Sequence, residues 1–338
     1  MKKQKYNLAI LGATGVVGRE MIEILAERKF PVGELRLFAS EKSVGEEIEW
    51  EGKPVKVRLV GDNAFAGIDI VMGDTPTAVS KELIPKAVAQ GAVAVDCSSA
   101  FRMDPNVPLV VPEVNAAAIA RHKGIIAGAN CSAIPVAVAV KPIHDQYGVK
   151  RLVLSTYQSA SGAGKGGTDE LAQQTTALFS QKDPVLKVFP YRLAFNVIPQ
   201  IDSFLPGGDT KEEAKIVEEL KKMIEAPNMG VTVTAVRVPV FVGHSAAVNI
   251  ETEKKAQASE VRELLRKIPG VVVKDEPAKK EYPLPIEAAG QDEVYVGRIR
   301  EDASIPNGLN LWVAADNLRK GAALNAVQIA EILIEKYL

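Results

Sequence analysis

The sequence predicts an α/β protein built from two domains. Its 338 residues are enough for two hydrophobic cores. In the first half, short apolar runs alternate with helical patterns, which is typical of βαβ units and a parallel sheet. From Arg151 onward the strands become longer and alternate apolar with polar residues, which favours an α+β domain with a mixed or antiparallel sheet.

Apolar spacing defines the elements of the first half. Val17, Met21, Ile24 and Leu25 recur at helical intervals and form one apolar stripe, which predicts a crossover helix. Predicted strands lie at residues 7–11, 35–39, 68–72 and 93–96, and predicted helices lie at 16–29 and 80–90.

The second half contains predicted strands at 231–238 and 240–251 and predicted helices at 168–180 and 211–224. Thr210 and Glu213 have the spacing of a capping box, which places a helix start just after Thr210. A last helix is predicted at 319–338 with Asn317 as its cap, and it could pack back onto the first domain. We therefore expect one domain at residues 1–130 and 318–338, and a second at 131–317.

Composition excludes several classes of partner. Lys and Arg number 41 against 42 Asp and Glu, so no overall basic field would attract nucleic acid or an anionic membrane. The apolar stretch 8–11 is too short for a signal peptide or a membrane span, which favours a cytoplasmic protein with a small-molecule partner. The two cysteines and three histidines are scattered, so neither a disulfide framework nor a metal site is predicted.

Three glycines separate the first predicted strand from the first predicted helix. Gly12, Gly15 and Gly18 would let backbone N–H groups approach a pyrophosphate at the positive end of the helix. This predicts a Rossmann-type, dinucleotide-binding first domain in which residues of the loop contact the cofactor: Gly12, Thr14, Gly15, Val16 and Val17. Because the spacing is not the usual Gly-x-Gly-x-x-Gly, a tight turn without a ligand stays open.

The segment after the second predicted strand bears on the choice of cofactor. Ser40, Lys42 and Ser43 offer two hydroxyls and a cation, which suit the 2′-phosphate of NADP. Glu41 would repel that phosphate but would accept a hydrogen bond from a ribose hydroxyl. NADP is therefore preferred, and NAD stays open.

Cys131 follows an apolar run and precedes a segment, 132–140, that can be helical. Pro135 is tolerated only in the first turn of a helix, so Cys131 would lie at a helix N-terminus. The helix dipole there lowers the pKa of a thiol and favours the reactive thiolate. A buried structural cysteine is an equally good interpretation of this segment taken alone.

Six segments together resemble the bacterial aspartate-semialdehyde dehydrogenases. They are Gly-Ala-Thr-Gly-Val-Val-Gly at 12–18, Ser-Ala-Phe-Arg at 99–102, Asn-Cys-Ser at 130–132, Ser-Thr-Tyr-Gln-Ser-Ala-Ser-Gly-Ala-Gly at 155–164, Arg237 with His244, and Asp-Asn-Leu-Arg-Lys-Gly-Ala-Ala at 316–323. They occur in the family's order from about residue 7 to the C-terminus. One departure is Ala133, where the family usually has threonine.

The resemblance implies a second domain for catalysis and dimerisation, a homodimer, and NADP-dependent reduction of 4-phospho-L-aspartate with release of inorganic phosphate. Cys131 would be the nucleophile, His244 the general acid and base, and Gln158 the residue that orients the reacting group. The other implied contacts are Arg237 with the substrate carboxylate, Glu212 with its amino group, Arg102 and Lys215 with phosphate, Asn130 with the substrate, and Thr75, Ser161, Gly162 and Asn317 with the cofactor.

The residues leave alternatives to several of these roles. Glu212 and Lys215 are three apart on a predicted helix and could form an ordinary ion pair. Arg237 and His244 are seven apart, so they would face opposite sides of one strand unless Pro239 and Gly243 interrupt it.

Three rival functions also stay open. They are a reductase of another acyl phosphate or acyl-CoA, such as N-acetyl-glutamyl phosphate, a catalytically silent dinucleotide-binding scaffold, and a cysteine hydrolase.

Overall fold

The computed structural model describes residues 3–338, which fold into fourteen strands and nine α-helices. The elements of the N-terminal part are β1 (Tyr6–Leu11), α1 (Val16–Glu27), β2 (Val32–Phe38), β3 (Glu47–Trp50), β4 (Lys53–Arg58), β5 (Ile70–Gly73), α2 (Thr77–Ala89), β6 (Val93–Asp96), β7 (Leu109–Val110), α3 (Pro112–Asn115) and β8 (Ile125–Gly128). They are followed by α4 (Ala133–Tyr147), β9 (Val149–Gln158), α5 (Gly164–Phe179), α6 (Lys211–Ile224), β10 (Gly230–Arg237), β11 (His244–Thr252), α7 (Ala258–Leu265), β12 (Val271–Val273), α8 (Pro285–Ala288), β13 (Val294–Asp302), β14 (Gly308–Ala315) and α9 (Leu324–Lys336).

The first compact unit comprises the chain up to Ala129 together with Ala322–Leu338. Its eight-stranded sheet has the order β3-β4-β2-β1-β5-β6-β8-β7, and every pairing is parallel except that of β3 with β4. The chain moves from β1 to β2 on one side and later to β5 on the other. The loop after β1 therefore lies at a topological switch point, where open α/β sheets bind ligands.

Helices cover both faces of this sheet, which explains why its central strand is apolar throughout. Leu8 and Ile10 of β1 belong to a core shared with α1 and α9, whereas Ala9 and Leu11 belong to a second core shared with α2. Successive side chains of a strand point to opposite faces, so β1 contributes to both cores. The C-terminal helix α9 packs in the first unit, an arrangement that the sequence left open.

The second unit, Asn130–Gly321, contains a six-stranded mixed sheet. Its order is β10-β9-β11-β14-β13-β12; β9 pairs in parallel with β10 and β12 with β13, and the remaining pairs are antiparallel. The predicted fold class is confirmed: a parallel Rossmann-type sheet in one unit and a mixed sheet with helices in the other. No helix within residues 3–338 is both long enough and apolar enough to cross a membrane.

The unit boundary differs from the expected one at two places. Asn130 belongs to the second unit because its amide groups bond to Glu212 and Glu219 there. Residues 318–321 also stay in the second unit, since Gly321 N–H donates to the carbonyl of Asp316 and Arg319 pairs with Asp292.

The expected single strand at 240–251 is wrong at its start. The chain leaves the sheet after Arg237 and returns at His244, so 238–243 form a connection between β10 and β11. Ala160 N–H donates to the carbonyl of Val240 and Ser161 N–H to that of Phe241, so this connection bonds to another loop instead of extending a strand.

We predict that Gly18→Ala destabilises the first unit. A Cβ at Gly18 would lie 2.2 Å from the carbonyl oxygen of Gly12 and 2.9 Å from Cα of Ala13, both backbone atoms that cannot move aside cheaply. Overpacking of this kind costs roughly 1–3 kcal/mol, which should appear as a lower midpoint in urea unfolding. Gly61→Ala is the control, because a Cβ there meets no atom within 4 Å. Equal midpoints for the two variants would contradict the packing argument.

Candidate active site

Cys131 lies at the start of α4, as the position of Pro135 predicted. The helix begins at Ala133 with Ser132 as its N-cap residue. Asn130 Oδ1 accepts hydrogen bonds from the N–H groups of Ser132 at 2.8 Å and Ala133 at 3.3 Å. Because these two N–H groups bond to Asn130, neither is free to stabilise an oxyanion beside Cys131.

His244 faces Cys131 and is almost fully buried. Its Nε2 lies 3.5 Å from Cys131 Sγ. Its other nitrogen, Nδ1, lies 3.1 Å from the backbone nitrogen of Ser159 and 2.9 Å from Ser159 Oγ. Burial, reinforced by the charge of Arg237, holds the pKa of His244 well below its usual range, so the ring is neutral at pH 7.

The topology of the sheet brings the other polar groups to the same edge. Strands β9, β10 and β14 run in one direction and β11 runs in the other. The ends of the first three strands therefore lie beside the first residue of β11, His244. Those ends are Gln158, Arg237 and Ala315. A Cβ at Gly162 would lie 2.7 Å from Arg237 Nη1 and 3.2 Å from His244 Nε2. Arg237 and His244 therefore converge beside Gly162, because they end and begin different strands.

Arg237 is buried and oriented by the backbone. Its Nη1 donates to the carbonyl of Ser159 at 2.7 Å, and its guanidinium carbon lies 5.9 Å from the centre of the Phe189 ring. Burial lowers its pKa, while the negative forms of Cys131 and Glu212 oppose that shift. Arg237 also lines a pocket of about 500 Å³ together with Phe189 and Asp202.

Glu212, Gln158 and Asn130 form one buried network. Glu212 Oε1 accepts from Asn130 Nδ2 at 2.9 Å and from Gln158 Nε2 at 3.0 Å, and Gln158 Nε2 also donates to Ser132 Oγ. Both hydrogens of the Gln158 amide are thus engaged, so this residue must exchange one bond before it can donate to a substrate.

The start of α6 places Glu212 next to that network. Thr210 and Glu213 form the predicted capping box, with both of its hydrogen bonds present. Lys215 Nζ lies 2.9 Å from Asp202 and 3.6 Å from Glu212 Oε2. The ordinary ion pair that the sequence left open is therefore present, and a phosphate would have to compete with two carboxylates for this lysine.

Arg102 lies in the first unit, where it is buried among acidic groups. Its Nη2 donates to the carbonyl of Cys97 at 2.6 Å. Burial raises the pKa of both Asp74 and Asp96, and the positive charge of Arg102 opposes the shift in each case. The positive charge of the guanidinium thus offsets the cost of burying two carboxylates, in addition to binding any ligand.

The glycine loop of the first unit fits a dinucleotide. Gly12 has a φ of +80°, and a Cβ there would lie 2.5 Å from the carbonyl oxygen of Asp74. Gly15 is the exposed N-cap residue of α1, whose first turn has no acidic residue to occupy its N–H groups. Backbone donors at a helix start and a loop that excludes side chains are what a pyrophosphate requires.

The remaining candidate cofactor residues of this unit surround that loop. Thr14 Oγ1 donates to Ser43 Oγ at 3.2 Å, which brings the segment after β2 next to the glycines. Ser40, Glu41 and Lys42 are exposed there, and Val16 and Val17 form the first turn of α1. Thr75 exchanges a hydrogen bond of 2.8 Å with Ser80.

Asn317 does not cap the last helix, contrary to our expectation, because α9 begins at Leu324 and has no side-chain cap. Asp316 Oδ1 accepts the N–H groups of Leu318 at 2.7 Å and Arg319 at 3.0 Å, at the start of the turn 319–323 that leads into α9. The Oδ1 of Asn317 instead accepts from Gly243 N–H, Ser159 Oγ and Ser161 Oγ. Asn317 and Ser161 therefore lie in the shell of side chains around His244.

Two family models cover most of the chain. The model described as semialdehyde dehydrogenase, NAD binding domain, matches residues 7–122, and the one described as semialdehyde dehydrogenase, dimerisation domain, matches residues 140–320. An aspartate-semialdehyde dehydrogenase of Aquifex aeolicus is 50% identical over 335 residues, which cover 98% of each chain. The chain belongs to the aspartate-semialdehyde dehydrogenase family. It is therefore an oxidoreductase with a domain for a nicotinamide dinucleotide.

Further relatives agree with this assignment. The aspartate-semialdehyde dehydrogenase of Rickettsia conorii is 49% identical over 339 residues, 99% of each chain. The crystal structure of aspartate semialdehyde dehydrogenase II from Vibrio cholerae, complexed with ASA, superimposes with a TM-score of 0.97 at 46% identity and covers 99% of this chain and 100% of that one.

Sequence reasoning missed three residues of the site in this member of the family. Ser132 and Ser159 bond to Gln158 and His244, and Glu219 accepts the backbone N–H of Asn130. Glu219 lies seven residues after Glu212, so the two carboxylates share a face of α6 two turns apart. That spacing was the available signal, whereas Ser132 and Ser159 became visible only through their hydrogen bonds.

Acidification should destabilise the folded chain through His244. Its folded pKa lies well below the unfolded value of 6.5, so between the two values only the unfolded chain takes up the proton. The free energy of unfolding therefore falls as the pH drops through this range, by at most about 1.4 kcal/mol per pH unit.

His244→Gln lacks this proton and serves as the comparison. Urea unfolding of both proteins at about pH 8 and about pH 5.5 should show that the wild type loses more stability than the variant. The carboxylates that titrate in the same range contribute equally to both proteins and cancel. An identical loss of unfolding free energy in both proteins would show that protonation of His244 is not coupled to unfolding.

Proposed function

We propose that the chain reduces 4-phospho-L-aspartate to L-aspartate 4-semialdehyde with NADPH, releases inorganic phosphate, and thereby supplies lysine, threonine, methionine and diaminopimelate biosynthesis. The observation that carries the proposal is the distance of 3.5 Å between Cys131 Sγ and His244 Nε2 at the start of a helix, beside the buried cation of Arg237. A silent scaffold would have no use for this arrangement.

Cys131 performs the covalent step. Its thiolate attacks the acyl carbon, a carbon–sulfur bond forms, the carbon–oxygen bond to phosphate breaks, and a thioester results. A nicotinamide dinucleotide would supply the hydride that reduces this carbon and leaves a negative charge on its oxygen. That oxygen re-forms the carbonyl as the carbon–sulfur bond breaks, so the aldehyde leaves and Cys131 is released as a thiolate. His244, whose Nε2 lies 3.5 Å from Sγ, would act there as the general acid and base.

Arg237 and Glu212 select the substrate by charge. Arg237 can bind the α-carboxylate with two parallel N–H groups. Glu212 Oε1 already accepts from Asn130 and Gln158, so a substrate ammonium group would bind to Oε2, which it would share with Lys215 at 3.6 Å. N-acetyl-glutamyl phosphate has no ammonium group, so a buried carboxylate at this position argues against that rival substrate.

The phosphate leaving group needs its own cations. We assign this role to Arg102 and Lys215, with Asn130 as a further polar contact of the substrate. Each of the two cations is already close to carboxylates, which would keep it charged and oriented in the absence of phosphate.

A homodimer is the proposed assembly. The region matched by the dimerisation model carries large apolar side chains that are mostly exposed in the single chain, among them Phe179 at 79%, Tyr191 at 64% and Phe195 at 64%. Exposed apolar surface of this kind is typical of an interface. A cytoplasmic location stays a prediction from the sequence.

The reaction can be measured in reverse. Purified protein mixed with aspartate semialdehyde, NADP and phosphate should produce reduced cofactor, whereas N-acetyl-glutamate semialdehyde should not replace the substrate. Without phosphate, turnover should stop after about one equivalent per active chain, because the thioester accumulates. Cys131→Ser should abolish both the burst and the turnover.

Cys97→Ala is the matched control for this experiment. Cys97 is the other cysteine of the chain. Burial raises its pKa well above the usual range, so it is a poor nucleophile. We expect this variant to keep its activity. Full activity in Cys131→Ser would refute the proposed nucleophile, and turnover that does not depend on phosphate would refute the proposed reaction.

Lys42 is predicted to set the preference for NADP. Lys42 is exposed and lies between Ser40 and Ser43 in the sequence, and loss of its charge would remove a contact that only the 2′-phosphate can use. Lys42→Ala should raise KM for NADP about tenfold, equivalent to about 1.4 kcal/mol, and leave KM for NAD nearly unchanged. Lys53→Ala, which removes an exposed lysine of β4, should alter neither value. A parallel rise for both cofactors would instead place Lys42 at the part that NAD and NADP share.

A further inference from the structure

We propose that Ser159 is the positioning residue of His244: its backbone N–H fixes the imidazole as the Nε2–H tautomer, and its hydroxyl, supported by Asn317, accepts Nδ1–H when the ring gains a second proton. This inference rests on the proposed role of His244. It adds a residue for which we found no signal in the sequence.

The backbone of Ser159 determines the tautomer. Its N–H points at His244 Nδ1 over 3.1 Å, and a backbone N–H can only donate. Nδ1 must therefore be the acceptor in the neutral ring, and the hydrogen is carried by Nε2. Since Nε2 lies 3.5 Å from Cys131 Sγ, the ring presents an N–H group to the sulfur, which suits a thiolate better than a thiol.

The hydroxyl of Ser159 can serve both protonation states of the ring. Its Oγ lies 2.9 Å from His244 Nδ1 and 3.0 Å from Asn317 Oδ1, which can only accept. When Nδ1 is unprotonated, the hydroxyl can donate to it. When Nδ1 carries a hydrogen, the hydroxyl accepts that hydrogen and donates to Asn317. No heavy atom has to move between the two arrangements.

Two further hydrogen bonds fix the orientation of the Asn317 amide. Its Oδ1 also accepts the backbone N–H of Gly243 at 2.9 Å, and its Nδ2 donates to Ser161 Oγ at 2.9 Å. These bonds determine which end of the amide faces Ser159. The orientation of an acceptor towards Ser159 therefore follows from the connection between β10 and β11.

The charged surroundings make an acceptor for Nδ1–H necessary. Arg237 approaches from the end of β10 and disfavours a second positive charge, whereas Cys131 approaches from the start of α4 and favours it as a thiolate. The backbone N–H of Ser159 also opposes protonation of Nδ1. Without the hydroxyl, the protonated ring would direct Nδ1–H at another N–H donor.

Nitrogen NMR of the ring tests the proposal independently of activity. In the cofactor-free protein, with His244 assigned by comparison with His244→Gln, the neutral ring should show the Nε2–H tautomer. Ser159→Ala should keep this tautomer and move the titration of His244 to lower pH by about one to two pH units, the equivalent of a lost hydrogen bond to a charged group. Asn317→Asp should move it to higher pH, because a carboxylate strengthens the acceptor.

Ser245→Ala is the matched control. Ser245 is the next residue along β11, it is buried, and its Oγ has no hydrogen-bond partner among the described residues. This variant should leave the titration of His244 unchanged. In the enzyme assay, Ser159→Ala should lower kcat about tenfold with KM changed less than twofold, a fraction of the roughly 10²–10⁴-fold that proton transfer contributes, because His244 itself is retained.

Two results would overturn the proposal. One is an Nδ1–H tautomer in the neutral wild type. The other is a titration midpoint that is the same in Ser159→Ala, Asn317→Asp and the wild type. Loss of aspartate-semialdehyde turnover in the wild type would refute the proposed function instead, and it would leave both NMR outcomes interpretable.

Discussion

The register of the second sheet is the constraint on which the site depends. Gln158 and Arg237 are the last residues of neighbouring parallel strands and pair directly with each other. His244 begins β11, the antiparallel strand on the other side of β9. It pairs with Ala315, the last residue of β14, which is followed by Asp316 and Asn317. A slip of one residue in any pair would send these side chains to the opposite face. The register that packs the apolar faces of the sheet therefore also holds these polar side chains in place.

Asn130, through its hydrogen bonds, holds the neighbouring Cys131 at this edge of the sheet. Its N–H donates to Glu219, its Nδ2 donates to Glu212, and its Oδ1 accepts from the start of α4. Hydrogen bonds to charged groups contribute roughly 1.5–3 kcal/mol each, so the residue before Cys131 is held firmly by α6. The same residue occupies the N–H groups of Ser132 and Ala133, so an oxyanion formed beside Cys131 would have to be stabilised by other groups.

The sequence predicted those features that depend on interactions between residues close together in the chain. The glycine loop, the capping box of Thr210 and Glu213, and the start of α4 were visible in the sequence because each depends on a few neighbouring residues. The interruption between Arg237 and His244 was anticipated from Pro239 and Gly243, although its extent was not. The sequence could not separate a cap from another role for Asn317, because neighbouring Asp and Asn are both good capping residues, and only the tertiary contacts of Ser159 and Gly243 show which side chain turns inward.

The neutral state of His244 explains why the polar shell around it is mostly uncharged. A buried imidazole next to a buried guanidinium loses its second proton readily, and a carboxylate in contact with Nδ1 would reverse that by stabilising the charged ring. The shell instead uses a serine and an amide, which can reorient their hydrogens without adding charge. In the neutral ring Nε2 already carries the hydrogen that faces Sγ, so a second proton enters at Nδ1, where the hydroxyl of Ser159 can accept the new N–H. In the proposed function, the charges that meet the carboxylate and the ammonium group of the substrate lie on Arg237 and Glu212, apart from the group that moves protons.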